Sequence, residues 1–209
     1  MIWFYNIIED LIRYISGGLG IKLRYWYYKK RLSACGSKVI IDTGVYFLNT
    51  GSIKLSDNVW IDKNSIFIAG KLSENKNVQI KPNSNPVINE GEIYIGKNSH
   101  IGIGAVIQGH GGVYIEDYFT MSANSQIYSY SNDYKNCHYG TIDGDNTFYI
   151  KSPVYIGKNV WLGLKTCLIG SSVEDNVFVM PNSTVSKPIQ KNSVAAGNPA
   201  RKIKDRFIY

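Results

Sequence analysis

Cysteine is scarce in this chain. Cys35, Cys137 and Cys167 are odd in number, far apart and without a CxxC pair, which excludes a disulfide framework and a structural zinc site and fits a reducing compartment. Histidine is as scarce: His100, His110 and His138 are the full set, and their spacing lacks the close pair that a histidine-ligated zinc requires, so no metal is expected. Long apolar runs are missing too. The apolar N-terminal stretch is broken by Glu9, Asp10 and Arg13, which leaves neither a secretory core nor the roughly 20 residues of a spanning helix. A cytoplasmic protein is the expectation. With 209 residues, 44% hydrophobic and 19% charged, disorder and collagen are excluded and one large soluble domain is the natural reading.

The net charge of +7 is unevenly placed. Residues 1–31 carry six bases against two acids, residues 187–209 six against one, and the body between them is slightly acidic. Charge confined to two ends points to an anionic partner met at defined places, a membrane face or a phosphorylated cofactor, rather than to a nucleic-acid-coating protein.

Residues 2–16 predict one amphipathic helix: Phe4, Ile7, Ile8, Leu11, Ile12 and Ile15 recur at helical spacing. Gly17, Gly18 and Gly20 are expected to end it. The next segment, Ile21 to Leu32, mixes aromatic rings with five cations, the composition of an interfacial helix. Two compatible readings follow: peripheral contact with the inner membrane face, or a cap over the apolar end of the domain behind.

From about residue 36 a different pattern takes over. An aliphatic residue followed by small or acidic residues and Asn appears as Leu55-Ser-Asp-Asn, Ile95-Gly-Lys-Asn, Ile156-Gly-Lys-Asn and Val173-Glu-Asp-Asn, with a weaker copy at Ile115-Glu-Asp-Tyr. Further aliphatics follow at steps of six, as in Ile101 and Ile107 after Ile95, or Leu162 and Leu168 after Ile156. A period of six describes a chain that turns a corner every sixth residue and places one aliphatic per short strand inside. Three such strands close one triangular coil of a parallel β-helix. Extra residues within Gln108–Gly112 fit a glycine-rich bulged corner, and the stretch 129–152 departs from the repeat and must project as one long loop. The expected organisation is a helical segment over 1–35, the β-helix over 36–189 and a basic tail over 190–209.

The blocks VYIGKNVWLGLKTCLIG, VEDNVFVMPNSTVSK and NSVAAGNPARKIK, from Val154 to Lys204, resemble the hexapeptide-repeat acyltransferases, in particular the branch with maltose, galactoside and xenobiotic acetyltransferases and bacterial surface-polysaccharide O-acetyltransferases. The resemblance covers residues 38–204. It implies an all-β fold, a left-handed parallel β-helix, and a homotrimer that binds acetyl-CoA between neighbouring subunits. It also implies transfer of the acetyl group to a carbohydrate acceptor, here a sugar hydroxyl of a cell-surface polysaccharide or its precursor. The neighbouring activity is N-acetylation of an amino-sugar nucleotide. A zinc lyase on the same scaffold lacks its ligand spacing in this sequence; a catalytically idle scaffold is the remaining alternative.

Acyl transfer to a hydroxyl needs a general base, which histidine supplies best near neutral pH. Where the resemblance places that histidine, one residue after Ile127-Tyr-Ser-Tyr-Ser, this chain has Asn132. Ile107 and Ile127 occupy equivalent places in consecutive coils, so His110 should share a corner with Asn132. The stretch VIQGHGGVYIED also resembles the segment of serine acetyltransferases that carries their catalytic histidine. His110 is therefore the leading candidate base. His138, in the long loop, is the second, and His100 reads as an ordinary outward residue. Glu116, Asp117 and Asp133 are candidates to orient the imidazole, and Asn132 to contact the acceptor or the thioester oxygen. On the cofactor side the resemblance implies Trp161 beside the thioester arm, and Gly163 and Ser186 along an open groove. It sets Lys187, Arg201 and Lys204 near the nucleotide phosphates. Neither Cys137 nor Cys167 sits in an activating setting for a covalent nucleophile.

Overall fold

The computed structural model describes residues 2–72, 78–80, 87–136 and 148–208, with side chains from Ile7 onward. Its body is a stack of six triangular coils. The aliphatics picked out by the period of six point inward, one per strand: Leu55, Ile61 and Phe67 in the second coil, Ile95, Ile101 and Ile107 in the third, Ile156, Leu162 and Leu168 in the fifth, all fully or almost fully buried. Each such side chain contributes roughly 1.5–3 kcal/mol by leaving water. Corresponding strands of successive coils pair in parallel, so Cys35, Leu55, Ile95, Ile115, Ile156 and Val173 stack in register along the first sheet. The second sheet runs through Ile41, Ile61, Ile101, Met121, Leu162 and Val179. The third runs through Phe47, Phe67, Ile107, Ile127, Leu168 and Val185.

The asparagine of the repeat turns the corner between the first and second sheets. Asn58, Asn98, Asn159 and Asn176 all have φ between 55° and 59°, the left-handed conformation that asparagine tolerates best among side-chain-bearing residues. Their amides also bond from coil to coil, Asn58 to Asn98 at 2.9 Å and Asn159 to Asn176 at 2.8 Å. In the fourth coil, between these pairs, the weaker repeat copy places the exposed Tyr118 at φ 62°.

Two excursions leave the coils, where the sequence pattern suggested one. The second coil runs past Ile68 and does not re-enter the first sheet until Ile93; the fourth runs past Tyr128 and re-enters at Val154. Both leave from the corner between the third and first sheets, and they meet outside it. Strand Tyr149–Lys151 pairs with Tyr130–Asn132 on one side and with Val78–Ile80 on the other. Lys151, almost fully buried, donates to Glu90 at 2.5 Å and ties the ends of the two excursions together.

The N-terminal segment forms two helices, α1 (Ile2–Arg13) and α2 (Gly17–Lys29). The glycines expected to separate them lie in the first turn of α2. Gly20 is there because a Cβ would fall 1.8 Å from the Ile15 carbonyl oxygen. Of the five cations expected along one interfacial face, Arg24 turns inward and is fully buried. Its Nε donates to the Ile41 carbonyl at 2.8 Å, and its Nη1 donates to those of Ile12 at 2.9 Å and Ile15 at 2.7 Å. It thus satisfies carbonyls left open at the end of α1 and clamps both helices to the first coil. Tyr28, also fully buried, sets its ring edge-on against Phe47, 4.7 Å between centroids, and closes the apolar end of the prism. The cap reading therefore holds. Leu19, Lys22, Trp26 and Lys29 remain exposed on α2.

The C-terminal stretch is no tail. Ser193–Gly197 and Ala200–Asp205 form an antiparallel hairpin that extends the second sheet, and the Arg206 guanidinium donates to the carbonyls of Asn159 at 2.6 Å and Val177 at 3.1 Å.

Two stability measurements test this account. Replacing Arg24 with Met leaves one buried and two part-buried carbonyls without this donor and should destabilise the protein by roughly 3 kcal/mol in urea unfolding, whereas Lys22→Met should change stability by under about 0.5 kcal/mol. Tyr118→Asn relieves a left-handed tyrosine and restores the asparagine ladder; it should stabilise the protein by about 1 kcal/mol, read as a raised melting temperature.

Candidate active site

His110 sits in the corner between the third and first sheets of the third coil, between the two excursions. Three glycines make that corner. A Cβ on Gly111 would lie 2.1 Å from the Ser129 carbonyl oxygen, and Gly112 has φ 94°, so neither tolerates a side chain. Ser129 locks the turn from the coil above: its hydroxyl donates to the Gln108 carbonyl at 2.7 Å and accepts from the Gly111 N–H at 2.9 Å.

The imidazole is held from both sides. Nδ1 lies 2.8 Å from the carbonyl oxygen of Gly70, where the first excursion begins. A carbonyl only accepts, so Nδ1 carries a proton and, in the neutral ring, Nε2 presents its lone pair. No described residue bonds Nε2. Across from Gly70 stands Tyr130, where the second excursion begins, its ring edge-on at 5.8 Å between centroids. Tyr130 in turn stacks on Tyr149 at 5.0 Å. Burial, reinforced by Tyr149, pushes the Tyr130 phenol up to about 12. It is neutral at physiological pH and can only share hydrogen bonds there.

These contacts revise the expected neighbours of the imidazole. The ladder aligns Ile107 with Ile127, which sets Tyr130 and not Asn132 beside His110. Asn132 is exposed, at the far end of its strand, opposite Tyr149. None of the three carboxylates considered as orienters does that work. Asp133 accepts from the Lys135 N–H and the Asn136 amide inside its own turn, Asp117 accepts from the Lys97 N–H, and Glu116 pairs with Tyr155. The orienting group is a main-chain carbonyl, which no residue pattern announces. His138 and Cys137 lie outside the described residues.

Trp161 is on the outer face of the second sheet in the fifth coil, 45% exposed, with its indole N–H donating to Ser122 at 2.8 Å. Gly163 does not open a groove as expected. A Cβ there would lie 2.7 Å from the backbone nitrogen of Pro181, so the glycine is required by the next coil. Ser186 is exposed at the end of the last coil. Beyond it a cleft of about 320 Å³ is lined by Lys187, Ile189, Gln190, Pro199, Arg201 and Lys202, among others. Lys187 and Arg201 thus line one cleft. Lys202, paired with Asp205, completes the set, and Lys204 is not part of the lining.

The order of the sheets around each coil decides how these parts relate. His110 occupies the corner between the third and first sheets, and Trp161 lies on the second, the side of the triangle that this corner does not touch. One chain therefore holds the candidate base and the candidate cofactor wall on opposite sides of the prism.

Cys167 is half-buried on the third sheet, and burial pushes its thiol up, as it does that of Cys35. A thiol raised in this way is protonated and inert at neutral pH. In a Cys137→Ser background, iodoacetamide should label Cys35 and Cys167 at least several-fold more slowly than free cysteine at pH 7.5. The rate should still climb above pH 9, past the pKa of roughly 8.5 of an ordinary thiol.

The model of the hexapeptide repeat of succinyl-transferase matches residues 153–187. A dTDP-4-amino-4,6-dideoxy-D-glucose acyltransferase from Escherichia coli is 27% identical over 175 residues, 82% of this chain and 81% of that protein. Among solved structures, AntD, an N-acyltransferase from Bacillus cereus in complex with dTDP and 3-hydroxybutyryl-CoA, superposes with a TM-score of 0.71 at 22% identity, covering 88% of each chain. A maltose O-acetyltransferase from Clostridium difficile 630 superposes with a TM-score of 0.57 at 20% identity, covering 97% of this chain and 84% of the other. Residues 153–187 thus carry the hexapeptide repeat, and the fold is all-β, a left-handed β-helix like that of the acyltransferases on which the chain superposes.

Proposed function

We propose that this protein transfers an acyl group, acetyl in the first instance, from acyl-CoA to a hydroxyl of a sugar, as a cytoplasmic homotrimer with its sites between subunits. The observation that carries this reading is the His110 imidazole, fixed by Gly70 with Nε2 bonded by none of the described residues. A neutral amine attacks a thioester unaided, whereas a hydroxyl needs its proton removed as it attacks. A base held in one tautomer meets that need. Nε2 takes the hydroxyl proton as the oxygen forms its bond to the thioester carbonyl carbon. The carbon–sulfur bond then breaks, and the imidazolium returns the proton to the departing thiolate. The second reading, transfer to the amine of a dTDP-linked amino sugar, is favoured by the relative that matches 82% of the chain and acts on such a sugar.

The cofactor arm fits the second sheet. The cationic cleft around Lys187 and Arg201 suits the phosphates of coenzyme A, and Trp161 offers an exposed apolar wall nearer the middle of the prism. Since His110 lies on the far side of the same chain, a second copy must supply it, and closed threefold symmetry sets equal coils side by side. The polysaccharide setting includes peripheral contact with an anionic membrane face. It is supported by Leu19, Lys22, Trp26 and Lys29, which α2 leaves exposed.

The test is steady-state transfer from acetyl-CoA to maltose and to dTDP-4-amino-4,6-dideoxyglucose. His110→Ala should lower kcat/KM by about 10²–10⁴ with acetyl-CoA affinity unchanged. Trp161→Ala should instead raise the KM for acetyl-CoA. Co-expressed in equal amounts and assayed at acetyl-CoA well below the raised KM, the two impaired chains should form mixed trimers in which about a quarter of the interfaces join an intact His110 to an intact Trp161, restoring activity in that proportion. No recovery on mixing would place the whole site within one chain and defeat the proposal.

A further inference from the structure

The outer face of the second sheet carries a second polar constellation that neither the repeat nor the proposed chemistry uses. Trp60, in the second coil, is 50% exposed on the same row of outward positions as Trp161. Between the two tryptophans the row continues through His100 and Thr120. The His100 Nε2 lies 2.9 Å from the Asp62 carboxylate, and its ring is 5.5 Å from that of Trp60. Asp62 only accepts, so Nε2 carries a proton and, in the neutral ring, Nδ1 is left to accept one. Thr120, between His100 and Trp161, has the smallest side chain on this row.

An exposed indole beside an imidazole–carboxylate pair is the chemistry that recognises a pyranose. The C–H face of the sugar covers the aromatic ring, and its equatorial hydroxyls bond to the planar polar groups at the edge. Position along the prism fits as well. Strands of neighbouring coils are about 4.8 Å apart, and the cationic cleft, Trp161, the level of His110 and Trp60 follow one another down the same axis. The thioester end of a cofactor arm that passes Trp161 would reach the level of His110 one coil short of Trp60, about the width of one sugar ring. We propose that Trp60, His100 and Asp62 form the subsite that holds the sugar ring of the acceptor. Trp60 stacks on its apolar face, and the His100–Asp62 pair reads its hydroxyls. This inference rests on the intersubunit reading above.

The experiment separates the two. Saturation-transfer NMR on the full-length protein measures binding of maltose and of dTDP-4-amino-4,6-dideoxyglucose without requiring any transfer. Trp60→Ala should weaken the probe that binds wild type by roughly tenfold, and Asp62→Asn and His100→Asn should each weaken it several-fold. Trp60→Phe, which keeps an aromatic face, should restore most of the affinity. Acetyl-CoA affinity by calorimetry and the oligomeric state by light scattering should stay as in wild type. The subsite is overturned if neither probe binds wild type, if Trp60→Ala binds as well as wild type, or if Trp60→Ala dissociates the oligomer, which would make this face a subunit contact. A loss of kcat at saturating acceptor in His100→Asn, with affinity intact, would overturn it in favour of a catalytic pair. Binding that depends on Trp60 without any acetyl transfer would leave the subsite standing and defeat the acyltransferase reading.

Discussion

Everything in this molecule depends on turning a sharp corner every few residues at low cost. A corner needs a left-handed residue, and a left-handed residue with a side chain costs roughly 1–2 kcal/mol unless it is asparagine or glycine. The chain meets that constraint with asparagine at most corners, including Asn58, Asn64, Asn98, Asn124, Asn159, Asn176 and Asn182, and with glycine at Gly44 and Gly104. Once the corners are fixed, register follows. Each strand contributes one aliphatic to the interior, the coils stack with strands in line, and any residue beyond the repeat is expelled to the outside.

That expulsion builds the candidate site. Insertions cannot enter the core, so the extra residues of the second and fourth coils leave at one corner, and the third coil is left between them. His110 is the only histidine at that corner among the described residues, and it takes its orientation from what the insertions bring: a main-chain carbonyl below and a tyrosine edge above. The rigid scaffold supplies the level and the insertions supply the environment.

Much of this was written in the sequence. The period of six, the inward aliphatics and the corner asparagines were legible because they are local and repeated, and so was the equivalence of Ile107 and Ile127, although it sets Tyr130 rather than Asn132 level with His110. The first excursion was harder to see. The stretch from Lys71 to Gly91 reads as polar loop, and its pairing with Tyr149–Lys151 is a contact between segments about seventy residues apart. Arg24 looked like one more surface cation in a basic run, since burial of an arginine depends on carbonyls of Ile12, Ile15 and Ile41 that composition does not show. Gly163 was read as space for a ligand, whereas its missing side chain is space for the next coil. The role of Gly70 had no signal at all, because its contribution is a backbone oxygen.

The small sheet formed by the two excursions also limits how the chain can change. Coils of a solenoid are in principle interchangeable units that gene duplication can add or delete. Here the second and fourth coils are bound to each other across the third, through the pairing of Val78–Ile80 with Tyr149–Lys151 and through Lys151 and Glu90. Loss of either insertion leaves the other with an unpaired strand edge, an invitation to aggregation, and gain of one coil between them pulls the partners out of reach. The spacing of these two insertions is thus heritable only as a pair, and the number of coils between them is held at one while the ends of the solenoid stay free to lengthen or shorten.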